Sequence, residues 1–357
     1  MRSGWQVTGA EVVLPAGDLH ETIAFFVDEL GFRLDTIMPA DSPRLATLGG
    51  HGLRLRLDGA AREGTSTLRL AIDGVGATPV SLIAPNGTRV EIVAAAPLMT
   101  VPPLVSRFEL TRSGDGAGLS PGRAGMHYRD LLPSRLGGRF IASHIAIPDG
   151  GPVPDYVHHH GVRFQMIYCV AGWVRVVYED QGPPFVMHAG DCVLQPPGIR
   201  HRVLESSEGF EVVELGCPAE HETHVDHELR LPTFAVRAER DFGGQRFVRH
   251  VAVDASWEPW HVRGFECRDT GIGAATHGLA GARVVRPLAG TGETGPRRHD
   301  GELQLWFVLA GTATLHADGE PSVSLASADA LVIPAGTAHE LAACSPDFEL
   351  LEVTLPA

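Results

Sequence analysis

The stretch PDYVHHHGVRFQMIYCVAG, residues 154–172, decides the fold because a histidine cluster stands at the head of an apolar strand pattern. In an extended segment His158 and His160 face the same side, since side chains alternate along a strand. Strict alternation turns Gln165 away from them, and a turn at the intervening glycine would bring it back. His201 begins a later strand after the turn PPG. Three imidazoles and an oxygen donor that converge in this way would form a site for a divalent metal.

The second two-thirds of the chain is an internal duplication. His160 recurs as His299 and Gln165 as Gln304, both at an offset of 139 residues (299 − 160 and 304 − 165). The segment PPGIRH, which ends at His201, recurs as PAGTAH, which ends at His339. A fixed period of this kind predicts two copies of one structural unit between about residues 106 and 357. The short apolar runs of each copy are separated by Gly, Pro and Asp, which is typical of a β-sandwich or β-barrel.

Two segments of the first copy resemble the two sequence motifs of the cupin superfamily. The pattern G-x5-H-x-H-x4-E-x6-G is matched, with Gln for Glu, by His158, His160, Gln165 and Gly172. The pattern G-x5-P-x-G-x2-H-x3-N is matched by Gly190, Pro196, Gly198 and His201, with Glu205 in place of Asn. The resemblance implies a mainly β fold of two tandem double-stranded β-helix (jelly-roll) barrels. It also implies a metal held by His158, His160 and His201, with Gln165 as a weak fourth ligand or a hydrogen-bond donor.

The second copy departs from the motif. Arg297 stands where the first histidine is expected, which leaves His299, Gln304 and His339. A guanidinium cannot ligate a metal, and two imidazoles with an amide bind one poorly. We therefore predict a degenerate second site, with Arg297 as a candidate for holding an anion.

The choice of an amide at position 165 bears on the chemistry. Three imidazoles and an amide are neutral, so a bound metal keeps its full charge and favours a small anionic, metal-chelating substrate. Cupins with three neutral histidines include non-haem iron dioxygenases, so the resemblance implies one divalent metal per chain, with Fe(II) favoured over Mn, Ni, Cu or Zn. The alternatives are a non-redox isomerase, lyase or decarboxylase, and a non-catalytic small-molecule-binding cupin. Around the metal, Glu205, Tyr156 and His144 are candidates for contacts with the ligands or the substrate.

The first hundred residues read as a separate α+β module. The segment AEVVLPAGDLHETIAFFVDELGFRLD, followed later by APNGTRVEIVA, resembles the glyoxalase/bleomycin-resistance (vicinal oxygen chelate) family over about residues 6–95. That family is built from βαβββ modules, and here the second module is shortened. Glu11 and Glu91 fall at the positions of the family's metal ligands, and we expect them to form only a vestigial site. We expect the module itself to serve in dimerisation or as a lid.

Composition limits the remaining possibilities. The 29 basic residues are all arginine, which excludes lysine-dependent chemistry, and 43 acidic residues give a net charge of −14 with no basic patch for nucleic acid. The five cysteines form no CxxC pair, and no apolar run is long enough to span a membrane. We therefore expect a cytoplasmic protein, and we expect a homodimer because barrels with exposed strand edges often pair. The predicted division is a module at 1–97, the linker and first barrel at 98–218, a joint at 219–245 and the second barrel at 246–357.

Overall fold

The computed structural model describes residues 11–38, 44–61, 66–72, 80–94, 99–114, 120–121, 126–289 and 292–357. The chain divides into two compact units, Met1–Leu98 and Met99–Ala357. Among the described residues, no helix is both long and apolar enough to cross a membrane.

The described residues of the first unit form one helix and seven strands. In chain order these are β1 (Val12–Pro15), α1 (Leu19–Ala24) continued by a π-helical segment (Phe25–Glu29), β2 (Arg33–Met38), β3 (Leu45–Gly50), β4 (Leu53–Asp58), β5 (Thr67–Ile72), β6 (Val80–Ile83) and β7 (Arg89–Ala94). Two sheets form, with strand orders β1-β4-β3-β2 and β5-β7-β6. The first sheet therefore has a β-α-β-β-β connection, and the second is built from strands alone in the part of the chain that the structure describes.

Local sequence explains the helix of this unit. The Asp18 side chain accepts the Glu21 backbone N–H at 2.9 Å and so caps the first turn. Phe26 and Leu30 are buried in the apolar core of this unit. Gly31 ends the helix with a φ of +70°, a conformation that glycine adopts without a steric penalty.

The second unit is nearly all β. Its strands up to the joint are β8 (Glu109–Thr111), β9 (Ser120–Pro121), β10 (His127–Asp130), β11 (Ile141–Ile147), β12 (Gly151–Pro152), β13 (His158–His160), β14 (Phe164–Ala171), β15 (Trp173–Tyr178), β16 (Phe185–His188), β17 (Cys192–Leu194), β18 (His201–Ser206), β19 (Phe210–Cys217) and β20 (Thr223–Val225). The later elements are β21 (Val248–His250), a 3₁₀ turn (Ala252–Asp254), β22 (Glu258–Pro259), β23 (Phe265–Asp269), α2 (Ile272–Ala275), β24 (Gly281–Pro287), β25 (Leu303–Ala310), β26 (Thr312–Ala317), β27 (Val323–Ala326), β28 (Ala330–Val332), β29 (His339–Ala342) and β30 (Glu349–Leu355).

Each barrel is a pair of sheets. In the first barrel the order β21-β17-β14-β19-β11-β10-β9 faces the order β16-β15-β18-β13-β20. In the second barrel the order β22-β23-β24-β30-β25-β28-β8 faces the shorter sheet β27-β26-β29. The duplicated sequence thus folds twice into the same jelly-roll arrangement, as the repeat predicts.

The two barrels exchange one equivalent strand. β8 precedes the first barrel in the chain but pairs with β28 of the second, while β21 follows the joint and pairs with β17 of the first. These strands are related by the repeat offset, since 109 + 139 = 248. Each predicted barrel boundary is therefore crossed by a strand that completes the other barrel's sheet.

The exchange places a shared core between the barrels. One continuous apolar cluster includes Phe140 and Leu215 from the first barrel with Leu303 and Phe307 from the second. The interiors then differ: the first barrel encloses an apolar cavity, whereas Trp306 and Phe348 fill the matching space of the second and leave a polar cavity beside Arg297 and Glu352. The position equivalent to Trp306 in the first barrel (306 − 139) is Ile167, whose smaller side chain leaves room.

Candidate metal centre

Three buried histidines converge inside the first barrel. His158 and His160 lie on β13, and His201 begins the adjacent strand β18, opposite His158 in the register. One ring nitrogen from each of the three lies within 4.8 Å of the others. The three side chains are buried in the apolar barrel interior. The group is the one set of three metal-ligating side chains found among the described residues, and it could hold a metal ion.

Hydrogen bonds at Nδ1 orient these rings. His158 Nδ1 lies 2.8 Å from the Tyr156 carbonyl oxygen and His201 Nδ1 lies 3.0 Å from the Ile199 carbonyl oxygen. A carbonyl can only accept, so in each neutral imidazole the proton is on Nδ1 and the lone pair is on Nε2. His160 Nδ1 is 3.0 Å from the Thr223 hydroxyl. Outer contacts of this type fix ring orientation and tautomer in metal centres, so the donor set fits a divalent metal.

Gln165 lines the same cavity because the chain turns between β13 and β14, which restores its direction. Its Nε2 donates to Glu214 on β19 at 2.8 Å. This contact explains the amide: a carboxylate at position 165 would face a second carboxylate, whereas an amide donates to it. The pair recurs in the second barrel, where Gln304 Nε2 donates to Glu352 at 3.0 Å.

The cavity around the triad has a volume of about 220 Å³ and an apolar lining. Isoleucine, valine, methionine and phenylalanine make up half of its described lining residues, and no arginine is among them. Glu214 is the carboxylate in that lining. A bound metal would therefore supply the positive charge of the cavity.

Two further polar side chains in the wall were not predicted. The Tyr178 ring stacks on His201 with ring centres 5.5 Å apart, and its hydroxyl accepts a hydrogen bond from Gln195 at 2.8 Å. Burial raises the pKa of Tyr178 far above its usual range, so the phenol keeps its own proton. The Gln195 Oε1 atom is buried without a partner. No motif marks either residue, because their approach depends on the barrel closing.

The joint also contributes to the site. Its strand β20 pairs antiparallel with β13, with Thr223 opposite His160. His221 lines the cavity, and its ring meets that of His160 edge-on at 5.4 Å. His224 and His227 are exposed. The sequence predicts only a joint here and gives no sign of the role of His221, because it does not show that this segment folds back onto the histidine strand.

Glu205 does not face the cavity, so that prediction is wrong. The pairing of β15 with β18 contains a β-bulge at Leu204, because Arg175 pairs with Glu205 but Val176 pairs with Val203. The extra residue reverses the alternation beyond Val203. Glu205 instead forms an ion pair with Arg175 at 2.8 Å on the outer surface.

Tyr156 and His144 also lie outside the cavity wall. Tyr156 is largely exposed, but it contacts His158 as predicted: its ring meets the imidazole edge-on at 5.6 Å, and its carbonyl accepts from His158 Nδ1. His144 alternates with the cavity-lining Ser143, so it points to the other face of β11. There it bonds to Glu211 at 2.9 Å and packs toward Phe307 of the second barrel.

The second barrel lacks the triad. Arg297 binds Glu352 at 2.9 Å, and His299 Nε2 lies 2.7 Å from the Ile333 carbonyl. The rings of His299 and His339 are 6.3 Å apart, and no group of three candidate ligands forms among the described residues here. Gln304 keeps its contact with Glu352.

The acidic pair predicted in the first unit forms no such group either, as far as the described residues extend. Glu11 lies just before β1, is exposed and forms an ion pair with Arg54 at 2.8 Å. Glu91 lies on β7, opposite Ser81 in the register. Neither belongs to a set of three metal-ligating side chains.

Comparison with known proteins agrees with this architecture. Residues 143–215 and 284–354 each match the family model of the cupin domain. No curated protein sequence matches the chain significantly. Each barrel thus contains one segment that matches the cupin domain, and the fold is a tandem pair of jelly-roll barrels.

Several solved structures share this fold. A salicylate 1,2-dioxygenase from Pseudaminobacter salicylatoxidans is 17% identical with a TM-score of 0.53, over 72% of this chain and 87% of that one. Protein Ylba from E. coli is 12% identical with a TM-score of 0.51, over 72% of this chain and 95% of that one. A variant of oxalate decarboxylase from B. subtilis is 15% identical with a TM-score of 0.50, over 72% and 78%. At such low identity the likeness establishes the fold alone.

Proposed function

We propose that the first barrel is the active site of a metal-dependent enzyme, an Fe(II) oxygenase that acts on a small metal-chelating anion. The observation that carries the proposal is the triad His158, His160 and His201, buried with ligand atoms within 4.8 Å in an enclosed apolar cavity. A ferrous ion held there would supply Lewis acidity and reactivity toward O₂, while neutral imidazoles suit other divalent metals as well.

The charges of the lining indicate that an anionic substrate would bind to this cavity only when the metal is present. Neutral imidazoles add no charge, and the described lining contributes one carboxylate, Glu214, and no arginine. An anion placed in this wall without a metal would meet an apolar surface and a like charge, which is unfavourable. Substrate binding is therefore expected to disappear when the metal is removed.

Polar groups of the wall would orient the substrate. The Tyr178 phenol accepts from Gln195 and keeps its own proton to donate to a substrate oxygen. Gln195 Oε1, buried without a partner, would accept from a substrate hydroxyl. Apolar side chains form half of the lining, so the remainder of the substrate should include a small hydrocarbon group that excludes water from the reacting end.

A non-redox reaction is the second candidate, favoured by Glu214. A carboxylate inside an apolar cavity can accept or return a proton, as an isomerase, lyase or decarboxylase requires. Gln165 holds this carboxylate at 2.8 Å and fixes its position. Turnover without oxygen would favour this second reading over the oxygenase.

The test begins with metal content per chain, measured on protein purified without a histidine tag. One equivalent of iron, lost in His158→Ala and retained in His299→Ala, is the expected result. The His299 variant is the control, because it removes an imidazole of the second barrel, the counterpart of His160, where Arg297 occupies the position of His158. Oxygen uptake is then recorded with α-hydroxy acids and β-diketonates, with and without the metal. A metal content that does not change in His158→Ala would refute the metal site. Full metal occupancy without any turnover would favour a non-catalytic binding protein.

We also propose that the first unit, a relative of the vicinal oxygen chelate module, pairs two copies of the chain. Its β1-α1-β2-β3-β4 connection supports the relationship. Large apolar side chains are exposed on its strands, namely Val12, Val13, Leu34, Ile37, Val80 and Ile83. Light scattering should report a dimer for the full chain and a monomer for Val13→Arg, while a monomeric parent would contradict the proposal.

A further inference from the structure

We propose that the second barrel, which lacks the histidine triad, binds a small hydroxycarboxylate between Arg283 and Arg297. The proposal goes beyond the metal centre of the first barrel and does not depend on it. It rests on a cavity of about 410 Å³ whose described wall includes both arginines, His299, Gln304 and Glu352. This volume is within the range of small-molecule sites.

The buried part of this cavity carries an excess positive charge. The Arg283 and Arg297 side chains are 21% and 14% exposed, and they share one buried carboxylate, Glu352. Arg298 and Asp300 lie at the exposed rim. Two guanidinium groups against one carboxylate leave about one charge uncompensated, which a monoanion would neutralise.

Glu352 is already occupied. Its Oε1 accepts from Arg297 at 2.9 Å, Gln304 at 3.0 Å and the Trp306 indole at 3.1 Å. Arg283 Nε lies 3.7 Å from the other carboxylate oxygen, beyond hydrogen-bond distance. The Arg297 guanidinium is held over the Trp260 ring at 4.4 Å, so it is fixed in place before any ligand arrives.

Three donors in the cavity wall are buried without a partner. They are Arg283 Nε, Arg297 Nη1 and the Thr354 hydroxyl. An unpaired buried donor is costly, and a guanidinium N–H is more costly than a neutral one. The carboxylate of a ligand would satisfy both guanidinium groups with charge-assisted hydrogen bonds.

Two hydrogen-bond acceptors in the same wall also lack partners, so the ligand must carry a hydrogen-bond donor in addition to its negative charge. Gln304 Nε2 faces Glu352, so its Oε1 is the unpaired atom. His299 uses Nε2 to donate to the Ile333 carbonyl, which puts the lone pair on the unpaired Nδ1. His261 also lines this cavity, and burial and the nearby Arg297 lower its pKa, which favours the neutral imidazole. The complementary ligand therefore combines a carboxylate with a hydroxyl that donates.

The test measures glycolate binding by calorimetry on the full chain carrying His158→Ala, which removes the metal centre as a competing site. One glycolate per chain is expected. Acetate, which lacks the hydroxyl, should bind more weakly, and the uncharged glycolamide should not bind. Arg297→Gln should weaken glycolate binding by about 10- to 100-fold through loss of a charge-assisted contact.

Glu352→Gln gives a result of opposite sign, because removing the competing carboxylate should tighten glycolate binding. Arg298→Gln, at the exposed rim, is the matched control and should change the affinity by less than about twofold. Should Arg297→Gln fail to fold, Arg283→Gln replaces it, since Arg283 makes no hydrogen bond to Glu352. Absence of glycolate binding, binding indifferent to both arginine variants, or weaker binding in Glu352→Gln would overturn the proposal.

Discussion

His339 should make the second barrel lose stability as the pH falls below neutrality. The side chain is 2% exposed, its Nδ1 lies 3.0 Å from the Thr337 carbonyl, and its Nε2 is buried without a partner. Burial lowers the pKa of His339 to about 4, and the nearby Arg297 adds to the effect. The folded protein therefore keeps this imidazole neutral.

The sign and size follow from proton linkage. An unfolded histidine titrates near pH 6.5, so between pH 6.5 and 4 the unfolded chain binds a proton that the folded chain excludes. The contribution of His339 is complete above pH 6.5 and is lost progressively as the pH falls toward 4. Between pH 7 and pH 5 the loss is about 2 kcal/mol, from about 1.4 kcal/mol per tenfold change in the protonation equilibrium.

The measurement is denaturant unfolding of the wild type and His339→Asn at pH 7, 6 and 5. Tryptophan fluorescence is the probe, because Trp257, Trp260 and Trp306 lie in the second barrel. The Asn amide mimics the Nδ1–H donor but does not titrate, so the stability gap between the two proteins should shrink by about 2 kcal/mol from pH 7 to pH 5.

His316→Asn is the control for this experiment. His316 is half-exposed on β26 in the same barrel and hydrogen-bonds to Ser322. Its variant should follow the wild type at every pH. A gap between wild type and His339→Asn that stays constant with pH would refute the argument, because it would mean that folding does not exclude the proton from His339.

Three further outcomes are expected. Arg297→His should leave metal content unchanged by elemental analysis, because His299 is turned toward the Ile333 carbonyl, and a second equivalent of metal would contradict this. Glu214→Gln should keep the metal but lower kcat by about 10²- to 10⁴-fold if this carboxylate moves the proton, whereas unchanged kcat would exclude it as the acid–base group. Trp306→Ala should cost about 3–5 kcal/mol in denaturant unfolding, because it empties the fully buried centre of the second barrel, and a loss below about 1 kcal/mol would show that the wall collapses into the space.

Much of the candidate site could be predicted from short-range sequence. His158 and His160 share a face because alternation along a strand is local, and the spacing to His201 is a property of the motif. Glu205 shows the limit of the same rule. One extra residue at Leu204 reverses the alternation, and nothing in the local sequence marks that bulge.

The other residues of the cavity wall could not be predicted from short-range sequence. Glu214, Tyr178 and His221 reach the cavity from strands and a joint that are distant from the histidines in sequence. Their approach depends on sheet order and closure, which involve loop entropy and packing over the whole barrel. The reason for an amide at position 165 became visible only with Glu214 beside it.

The sequence by itself determined the two-barrel architecture, the histidine triad and the departure at Arg297, because repeats and alternation are written in residue order. Tertiary structure decided the exchange of β8 and β21, the apolar space that is open at Ile167 and filled by Trp306, and the unpaired polar atoms of the second barrel. Each of these depends on which distant surfaces meet. Which distant strands pair depends on the total apolar surface that the whole core buries, and a local sequence pattern does not specify that total.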